Sequence, residues 1–234
     1  MELDSHDILL AEWPRPDAPV RLVSQSGYPA NAKPWLADAR RLGVMVRRLV
    51  FQLDPELRMS REAYRRWAEE QPRGRFERVE GVVVAMAPER AGHALRKAFV
   101  WRALDQAVRA ARLDCHVYPD GMTVEADDSD FEPDAVVHCG EKLPDDAVTV
   151  PDPVIVVEVL SPKTRGNDLT RKLAAYFQVA SVRHYPIFWA DRPQVIHHRR
   201  SDVGQGIETT IMTEGEIALD PPGLTVSLAD VYVG

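Results

Sequence analysis

The sequence has little cysteine, no long apolar run and no excess of positive charge, and each shortage narrows the class of protein. Only two cysteines, Cys115 and Cys139, occur among 234 residues. Their spacing matches no metal-ligand pattern, so we expect small core residues and no disulfide. No stretch approaches the roughly 18 consecutive apolar residues that a membrane-spanning helix needs. The first residues lack the basic and apolar regions of a secretory signal, which predicts a cytoplasmic protein.

The charge balance is acidic. The formal net charge is −7, from 29 lysines and arginines against 36 aspartates and glutamates. This balance speaks against a broad basic surface for nucleic acid. It leaves a local phosphate site open, because a bound metal neutralises the carboxylates that hold it and the net charge then understates the affinity for phosphate.

Residues 1–58 differ in composition from the rest of the chain. Five prolines occur by position 34, and no apolar period is sustained, so we expect an irregular, extended arm. A translation start at Met45 or Met59 would account for the same composition. We therefore divide the chain into an N-terminal extension, residues 1–58, and one domain, residues 59–234.

The patterns become clearer from Ser60, a residue type that caps helices. A helix is predicted from there to about Glu70. Residues 76–86 contain two β-like runs around Glu80-Gly81, which indicates a hairpin. Residues 90–112 then form the longest helical pattern.

That long helix has an apolar face and a basic flank. The apolar face is predicted to comprise Leu95, Phe99, Ala103, Ala107 and Ala110. The basic flank is expected to be a solvated surface, and it consists of Arg96, Lys97, Arg102, Arg109 and Arg112.

The remainder of the domain is rich in strands. They are predicted at residues 115–118, 122–125, 133–137, 153–160, 185–190, 194–198, 207–212 and 224–226. One further helix should begin at Asn167 or Asp168 and end near Ala180. The pair His197-His198 has no partner at metal-ligand spacing, so we expect it on an exposed polar strand or turn.

The segment Pro153–Leu160, read as PVIVVEVL, contains one charge in an otherwise apolar run. Such a run is typical of a strand buried on both faces. An isolated ionised carboxylate in that position costs several kcal/mol unless a cation or a donor cluster meets it. Glu158 is therefore expected either to ligate a metal or to form a buried structural ion pair.

A second acid lies in similar surroundings about twenty residues earlier. Pro133-Asp134 is typical of a strand entrance, because proline is tolerated where no ladder donor is needed. If the two strands share a sheet, Asp134 and Glu158 converge at its end and offer the oxygen ligands that magnesium and manganese prefer. The alternative for Asp134 is a hydrogen bond at the start of a strand.

Lys172 is the candidate cation of this site. It lies among residues that face the sheet, so its side chain could reach the end of the Glu158 strand and polarise a phosphate or orient water. The alternative is an ordinary helical ion pair with Asp168, four residues earlier.

Three further polar residues were considered for the site. Glu77 alternates with apolar neighbours, a pattern typical of the wet face of a hairpin. Glu132 is expected to be solvated. His93 opens the long helix, where a lone histidine is more often a surface or capping residue than a phosphate contact or a base.

The order of these motifs resembles the Uma-two family of restriction-endonuclease-like proteins. The residues that carry the resemblance are Phe76-Glu77, Gly81, His93, Pro133-Asp134, Val157-Glu158-Val159-Leu160-Ser161-Pro162, Thr164, Asp168, Lys172 and Tyr176. It extends from about Met59 to Leu228.

By this resemblance the fold is α/β, the PD-(D/E)XK restriction-endonuclease-like mixed sheet flanked by helices. The metal pair would be Asp134 and Glu158, with Glu77 as an additional acid. The general nuclease motif places a lysine two residues after the second acid, where this sequence has Leu160. In this family the lysine would have moved to Lys172.

The sequence and the resemblance together predict a magnesium- or manganese-dependent endonuclease that acts on DNA, with Glu77, Asp134, Glu158 and Lys172 in its site. The carbonyl of Val159 and water would complete the metal shell. A homodimer is expected, because cleavage of two strands needs two sites. The alternatives are a binding or scaffold module that keeps the fold without turnover and a metal-dependent hydrolase of some other phosphate or small molecule.

Overall fold

The computed structural model describes residues 58–160, 167–203 and 206–233. The predicted N-terminal extension, residues 1–58, therefore lies outside the described residues except for Arg58. The helices are α1 (Arg61–Glu69), α2 (Ala91–Ala111), α3 (Asn167–Tyr176) and α4 (Leu228–Val231). Among them, none is long and apolar enough to cross a membrane.

Twelve strands alternate with these helices. They are β1 (Phe76–Val79), β2 (Val82–Ala85), β3 (Cys115–Pro119), β4 (Val124–Ala126), β5 (Ser129–Phe131), β6 (Ala135–Cys139), β7 (Pro153–Leu160), β8 (His184–Trp189), β9 (Val195–Arg200), β10 (Ile207–Met212), β11 (Glu216–Leu219) and β12 (Leu224–Ser227).

The main sheet has six strands in the order β10-β9-β8-β7-β6-β3. Only β7 and β8 run parallel; every other neighbouring pair is antiparallel. A second, antiparallel sheet has the order β2-β1-β5-β4, and β11 pairs with β12 alone. The sheets flanked by helices confirm the predicted α/β class.

Strand β7 separates two apolar cores, as its alternation predicted. Ile155, Val157 and Val159 face the core that contains α2, α4 and the β11–β12 hairpin. Val156 and Leu160 face the other core, which α3 and the second sheet complete. Because successive strand residues point to opposite faces, Glu158 lies on the side of α3 and the second sheet.

The first helix and the hairpin agree with their predictions. The Ser60 side chain accepts a hydrogen bond from the Ala63 amide and caps α1. The β1–β2 hairpin turns at Glu80-Gly81, both with positive φ (50° and 80°). A two-residue turn of this kind needs such angles, which glycine adopts without steric cost.

The predicted apolar face of α2 is partly wrong: Ala103 is buried and Ala107 packs against the core, but the rest of the buried face differs. Its buried residues are Lys97, Val100, Ala103, Leu104 and Val108, whereas the side chain of Leu95 is exposed. The helix is rotated relative to the prediction because the branched side chains at 100, 104 and 108 cover the sheet better than the alanines at 107 and 110. This rotation also buries Lys97, which was expected to be solvated.

The two cysteines are also not as expected. Cys115 on β3 lies opposite Cys139 on β6 in the antiparallel register, and the two form a disulfide. Spacing along the chain did not indicate this pair, because the pairing of β3 with β6 brings the cysteines together.

His197 departs from its prediction as well. It is buried, and its Nε2 lies 3.0 Å from Nδ1 of the buried His184. The pair forms because β8 and β9 are neighbours and the Asp220–Pro222 segment covers them, with His184 Nε2 3.0 Å from the Pro221 carbonyl. Strands β5 and β11 and helix α4 were not predicted, and α3 ends earlier than expected, at Tyr176.

Candidate active site

Asp134 lies just before β6, beside the end of β7. Its amide donates to the Val157 carbonyl at 2.9 Å. Its Oδ2 accepts a hydrogen bond from the Val159 amide at 2.6 Å, and its Oδ1 lies 3.0 Å from Lys97 Nζ. The carboxylate thus makes the strand-start hydrogen bond considered above and still has lone pairs available, since an ionised carboxylate has about four acceptor positions.

Glu158 and Glu77 share one lysine. Lys172 Nζ lies 2.9 Å from Oε1 of Glu158 on β7 and 2.9 Å from Oε1 of Glu77 on β1. The ring centroid of Phe131 is 5.3 Å from the ammonium nitrogen. Lys172 therefore bridges the main sheet and the second sheet, and it is buried where they meet.

Glu77 is not on the wet face of its hairpin. Its side chain is buried, and its Oε1 also accepts a hydrogen bond from the Glu132 amide at 3.0 Å. The structure thus brings Glu77, Glu158 and Lys172 together, with Asp134 bonded to the residue next to Glu158. The side chain of Asp168, the alternative partner of Lys172, lies outside the described residues.

Burial raises the pKa of Glu158 above its ordinary value. The Lys172 ammonium acts in the opposite direction, and the nearby Asp134 and Glu77 add to the increase. Tyr176 donates its hydroxyl proton to Glu158 Oε1 at 3.2 Å, and burial raises the pKa of that hydroxyl well above its ordinary value. The neutral tyrosine is therefore a stable donor to Glu158.

The surroundings of the site carry more carboxylates than lysine and arginine side chains. The described contacts link six acids to three cations, Arg75, Lys97 and Lys172. The acids are Glu77, Glu89, Asp120, Glu132, Asp134 and Glu158. Oxygen donors with an excess of negative charge suit a hard divalent cation.

The number of preformed ligands is small. Among the described residues, no three His, Cys, Asp or Glu side chains form a metal-binding group. Magnesium is commonly held by one or two carboxylates together with water and substrate phosphate, so Asp134 and Glu158 fit that mode of binding.

The Val159 carbonyl, expected to join the metal shell, has another partner. His93 Nε2 lies 2.6 Å from it, and His93 Nδ1 lies 3.2 Å from Glu89 Oε1. A carbonyl can only accept, so Nε2 carries a proton and donates. His93 is therefore a contact of the site and not a surface or capping residue, because the first turn of α2 passes the end of β7.

Sequence reasoning missed five charged residues around the site, Arg75, Glu89, Lys97, Asp120 and Glu132. Glu132, expected to be solvated, accepts from Arg75 Nε at 2.9 Å, and burial raises its pKa. Lys97 contacts Asp134 from α2. Helical spacing could have indicated Lys97, because positions 97, 100, 104 and 108 follow the three- and four-residue steps of one helix face.

Comparison with known proteins agrees with this fold. The model of the Uma2 family, described as "Putative restriction endonuclease", matches residues 61–230. The chain belongs to the Uma2 family. A solved structure, a "putative nuclease belonging to DUF820" from Anabaena variabilis, has a TM-score of 0.58 at 15% identity, covering 73% of this chain and 96% of that one. That likeness shows that the two proteins share a fold.

A relative in sequence comes from Synechocystis sp. It is described as "Uncharacterized protein slr1290" and is 24% identical over 191 residues, which are 77% of this chain and 94% of the relative. The Uma2 match includes every residue of the candidate site.

Proposed function

We propose that this Uma2 protein is a metal-dependent endonuclease that hydrolyses phosphodiester bonds, with DNA as the substrate. The observation that supports this most directly is the placement of Lys172, 2.9 Å from both Glu158 and Glu77, beside an Asp134 that is bonded to the amide of Val159. Two carboxylates and a lysine at the end of adjacent strands form a site for an electrophilic phosphate and a nucleophilic water.

Asp134 and Glu158 would hold the cation, magnesium or manganese. When bound, such a cation stabilises the negative charge that develops on the phosphate and lowers the pKa of a coordinated water. The two proposed ligands supply oxygen donors only, which disfavours softer metals that prefer sulfur or imidazole ligands.

The residues of the chain have separate tasks in the proposed reaction. The Lys172 ammonium donates a hydrogen bond to the attacking water and holds it in line with the phosphorus atom. Glu77 keeps Lys172 in place through their 2.9 Å contact. The water oxygen forms the new bond to phosphorus and gives up one proton to solvent. The bond to the leaving sugar oxygen breaks, and that oxygen gains a proton from solvent.

A homodimer is part of the proposal, because cleavage of both strands of a duplex needs two sites. Strand β10 is the last in the order of the main sheet. Its residues Ile207 and Ile211 are 42% and 63% exposed. An exposed edge with apolar side chains favours pairing with a second chain.

One observation favours a second candidate, a binding module without turnover. Each of the two proposed metal ligands already has a lysine at ion-pair distance, Asp134 with Lys97 and Glu158 with Lys172. Two satisfied ion pairs could stabilise the fold with no metal.

Cleavage of supercoiled plasmid and of single-stranded DNA, with magnesium or manganese, tests the proposal. We expect metal-dependent nicking that falls about 100-fold or more in Glu158→Gln and Asp134→Asn, because each loses a metal ligand. The control Glu141→Gln changes an exposed acid in the loop after β6 and should keep wild-type activity.

Manganese binding, measured by calorimetry, separates the two candidates. Binding by the wild type that is lost in both variants supports the metal site. A wild type that neither binds metal nor cleaves any of these substrates overturns the nuclease proposal and favours the binding module.

A further inference from the structure

Lys97 is a buried lysine in contact with three carboxylates from three parts of the chain. Its Nζ lies 2.6 Å from Asp120 Oδ2 and 3.0 Å from Asp134 Oδ1, and it also contacts Glu89 Oε1. Only 7% of its side chain is exposed. Asp120 follows β3, Glu89 precedes α2 and Asp134 precedes β6. The Lys97 ammonium therefore connects the first half of α2 with the end of β3 and the start of β6.

The contact with Asp134 determines how that carboxylate is held. Oδ2 is held by the Val159 amide at 2.6 Å and Oδ1 by Lys97 at 3.0 Å. Two hydrogen bonds to the two oxygens fix the plane of a carboxylate, and thereby the direction of its remaining lone pairs. Without Lys97, rotation about the bond to the carboxyl group would be limited by the Val159 amide alone.

Lys97 also belongs to a closed circuit of polar contacts around the candidate site. From Asp120 the contacts continue to Arg75 (2.6 Å), and from Arg75 Nε to Glu132 (2.9 Å). They continue from the Glu132 amide to Glu77 (3.0 Å).

Lys172 completes the circuit. It joins Glu77 to Glu158, and the residue after Glu158 donates its amide proton to Asp134. The two proposed metal ligands are therefore linked on one side by the backbone of β7 and on the other by a chain of charges that begins at Lys97.

We infer that Lys97 is a positioning residue of the metal site, holding Asp134 in its binding orientation and serving as the internal counter-cation of Glu89, Asp120 and Asp134. The inference rests on the proposed function. It goes beyond the two carboxylates and Lys172, because it assigns a role to a second lysine that comes from a different helix.

Two opposing effects follow from removal of the ammonium. A divalent cation at Asp134 is repelled by a positive charge next to that carboxylate, so loss of Lys97 strengthens or preserves metal binding. Loss of the same group releases Asp134 from its fixed orientation, and misplacement of a reacting group by about 1 Å can lower a rate by about 100-fold. Metal affinity and turnover should therefore change independently.

The test compares Lys97→Met, Lys97→Arg and the control Lys142→Met. Lys97→Arg keeps the charge, and a cavity of about 250 Å³ beside Lys97, lined in part by Ala94, Ala98 and Trp101, has room for the larger head group. Lys142 is an exposed lysine paired with Asp145 on the surface. Each protein is titrated with manganese by calorimetry, assayed for cleavage at saturating manganese and melted without metal.

We expect Lys97→Met to bind manganese at least as tightly as the wild type and to cleave about tenfold or more slowly at saturating metal. Lys97→Arg should regain most of that rate, and Lys142→Met should match the wild type. Equal rates for Lys97→Met and the wild type would overturn the inference. The inference would also be overturned if manganese binding and the cleavage rate of Lys97→Met both fell in proportion to its folded fraction. Lys97 would then contribute to stability alone.

Asp120→Asn covers the case in which Lys97→Met does not fold. This variant keeps Lys97 but removes the charge of one of its carboxylate partners. The cleavage rate should therefore fall by a smaller factor than in Lys97→Met, while manganese binding is kept. A rate equal to that of the wild type would contradict the inference. A wild type without metal-dependent cleavage overturns the proposed function itself, whatever the variants do, so the two failures are distinguishable.

Discussion

Among the residues that the structure describes, lysine, arginine, aspartate and glutamate side chains are buried where another charge meets them. Besides the candidate site, Arg78 and Asp130 are each 1% exposed and lie on the neighbouring strands β1 and β5, with Nε 2.5 Å from Oδ2. Asp130 also accepts from Arg61 Nε at 2.7 Å, which joins α1 to the second sheet. Sequence reasoning treated Phe76–Val79 as one arm of a hairpin and missed this pair, because the partner lies more than fifty residues away on a strand it did not predict.

The second sheet should therefore be sensitive to loss of Asp130. In Asp130→Asn, Arg78 keeps a full charge at a buried position with only Asp128 as ionised partner. Breaking a buried pair in this way costs about 3–5 kcal/mol. The free energy of unfolding, measured with urea, should fall by that amount.

Asp128→Asn is the matched control for this experiment. It removes the charge of the other partner of Arg78. The Asp128 side chain is 62% exposed, and exposed ion pairs contribute about 1 kcal/mol or less to stability. Equal losses in the two variants would show that burial does not govern the strength of these pairs.

At the residue level, the candidate site was predictable in part. A charge in the run PVIVVEVL is visible in the sequence, since an unpaired buried carboxylate is costly and demands a partner. The partners of Glu158 and Asp134 were only partly predictable. Lys172 lies one helix later. Lys97 shares the helical spacing of Val100, Leu104 and Val108, but the alanines of the same helix fit a second face, so spacing alone did not select the buried one.

At the level of elements, the sequence pattern determined the strand β7 more fully than the helix α2. Strand β7 has the predicted bounds and the predicted alternation, because a strand buried on both faces is recognisable as a short, continuous run of apolar residues. Helix α2 has nearly the predicted bounds but a different buried face, since alanine and leucine occur all around it and its charges did not mark one side.

Strand β10 is the element for which we expect an effect on assembly. A lysine at an exposed strand edge opposes pairing with another chain. Ile211→Lys should therefore shift the proposed dimer towards monomer in light scattering coupled to size-exclusion chromatography. Val203→Lys adds the same charge at a position that is 88% exposed and lies before β10, and it should leave the mass unchanged. A wild-type monomer, or a dimer that persists in Ile211→Lys, would contradict this role of β10.

On the scale of the whole molecule, two buried histidines make the stability depend on pH. Burial lowers the pKa of His184 and of His197 to about 4, from an ordinary value of 6.5. The Pro221 carbonyl can only accept, so His184 donates from Nε2 and accepts from His197 at Nδ1. This arrangement requires the His184 ring to be neutral, and burial favours the neutral form of His197 as well.

The sign of the effect follows from proton uptake. As the pH falls below 6.5, these histidines bind protons in the unfolded chain but not in the folded protein, where they bind protons only at about pH 4. Their contribution to the free energy of unfolding is therefore complete above about pH 6.5 and is lost towards pH 4. With about 1.4 kcal/mol for each pKa unit, one such histidine accounts for about 2 kcal/mol between pH 8 and pH 5.

Melting of the wild type and His197→Gln at pH 8 and pH 5 tests this expectation. Glu158, whose pKa is raised, acts in the opposite direction, so the comparison between the two proteins isolates the histidine. His197→Gln should lose less stability on acidification than the wild type does, whereas the control His116→Gln on β3 should resemble the wild type. Identical pH profiles for all three proteins would contradict a role of the pair.

The sequence by itself determined the elements and the residue types of the candidate site. Local periodicity, capping and turn chemistry act over a few residues, so α1, the β1–β2 hairpin and β7 could be predicted, and the cost of a buried charge identified Glu158. Tertiary structure decided which distant groups meet: the rotation of α2 that buries Lys97, the β3–β6 register that joins Cys115 to Cys139, and the His184–His197 pair. These depend on strand order and helix packing, which are set by the sum of many contacts and not by any short stretch of the chain.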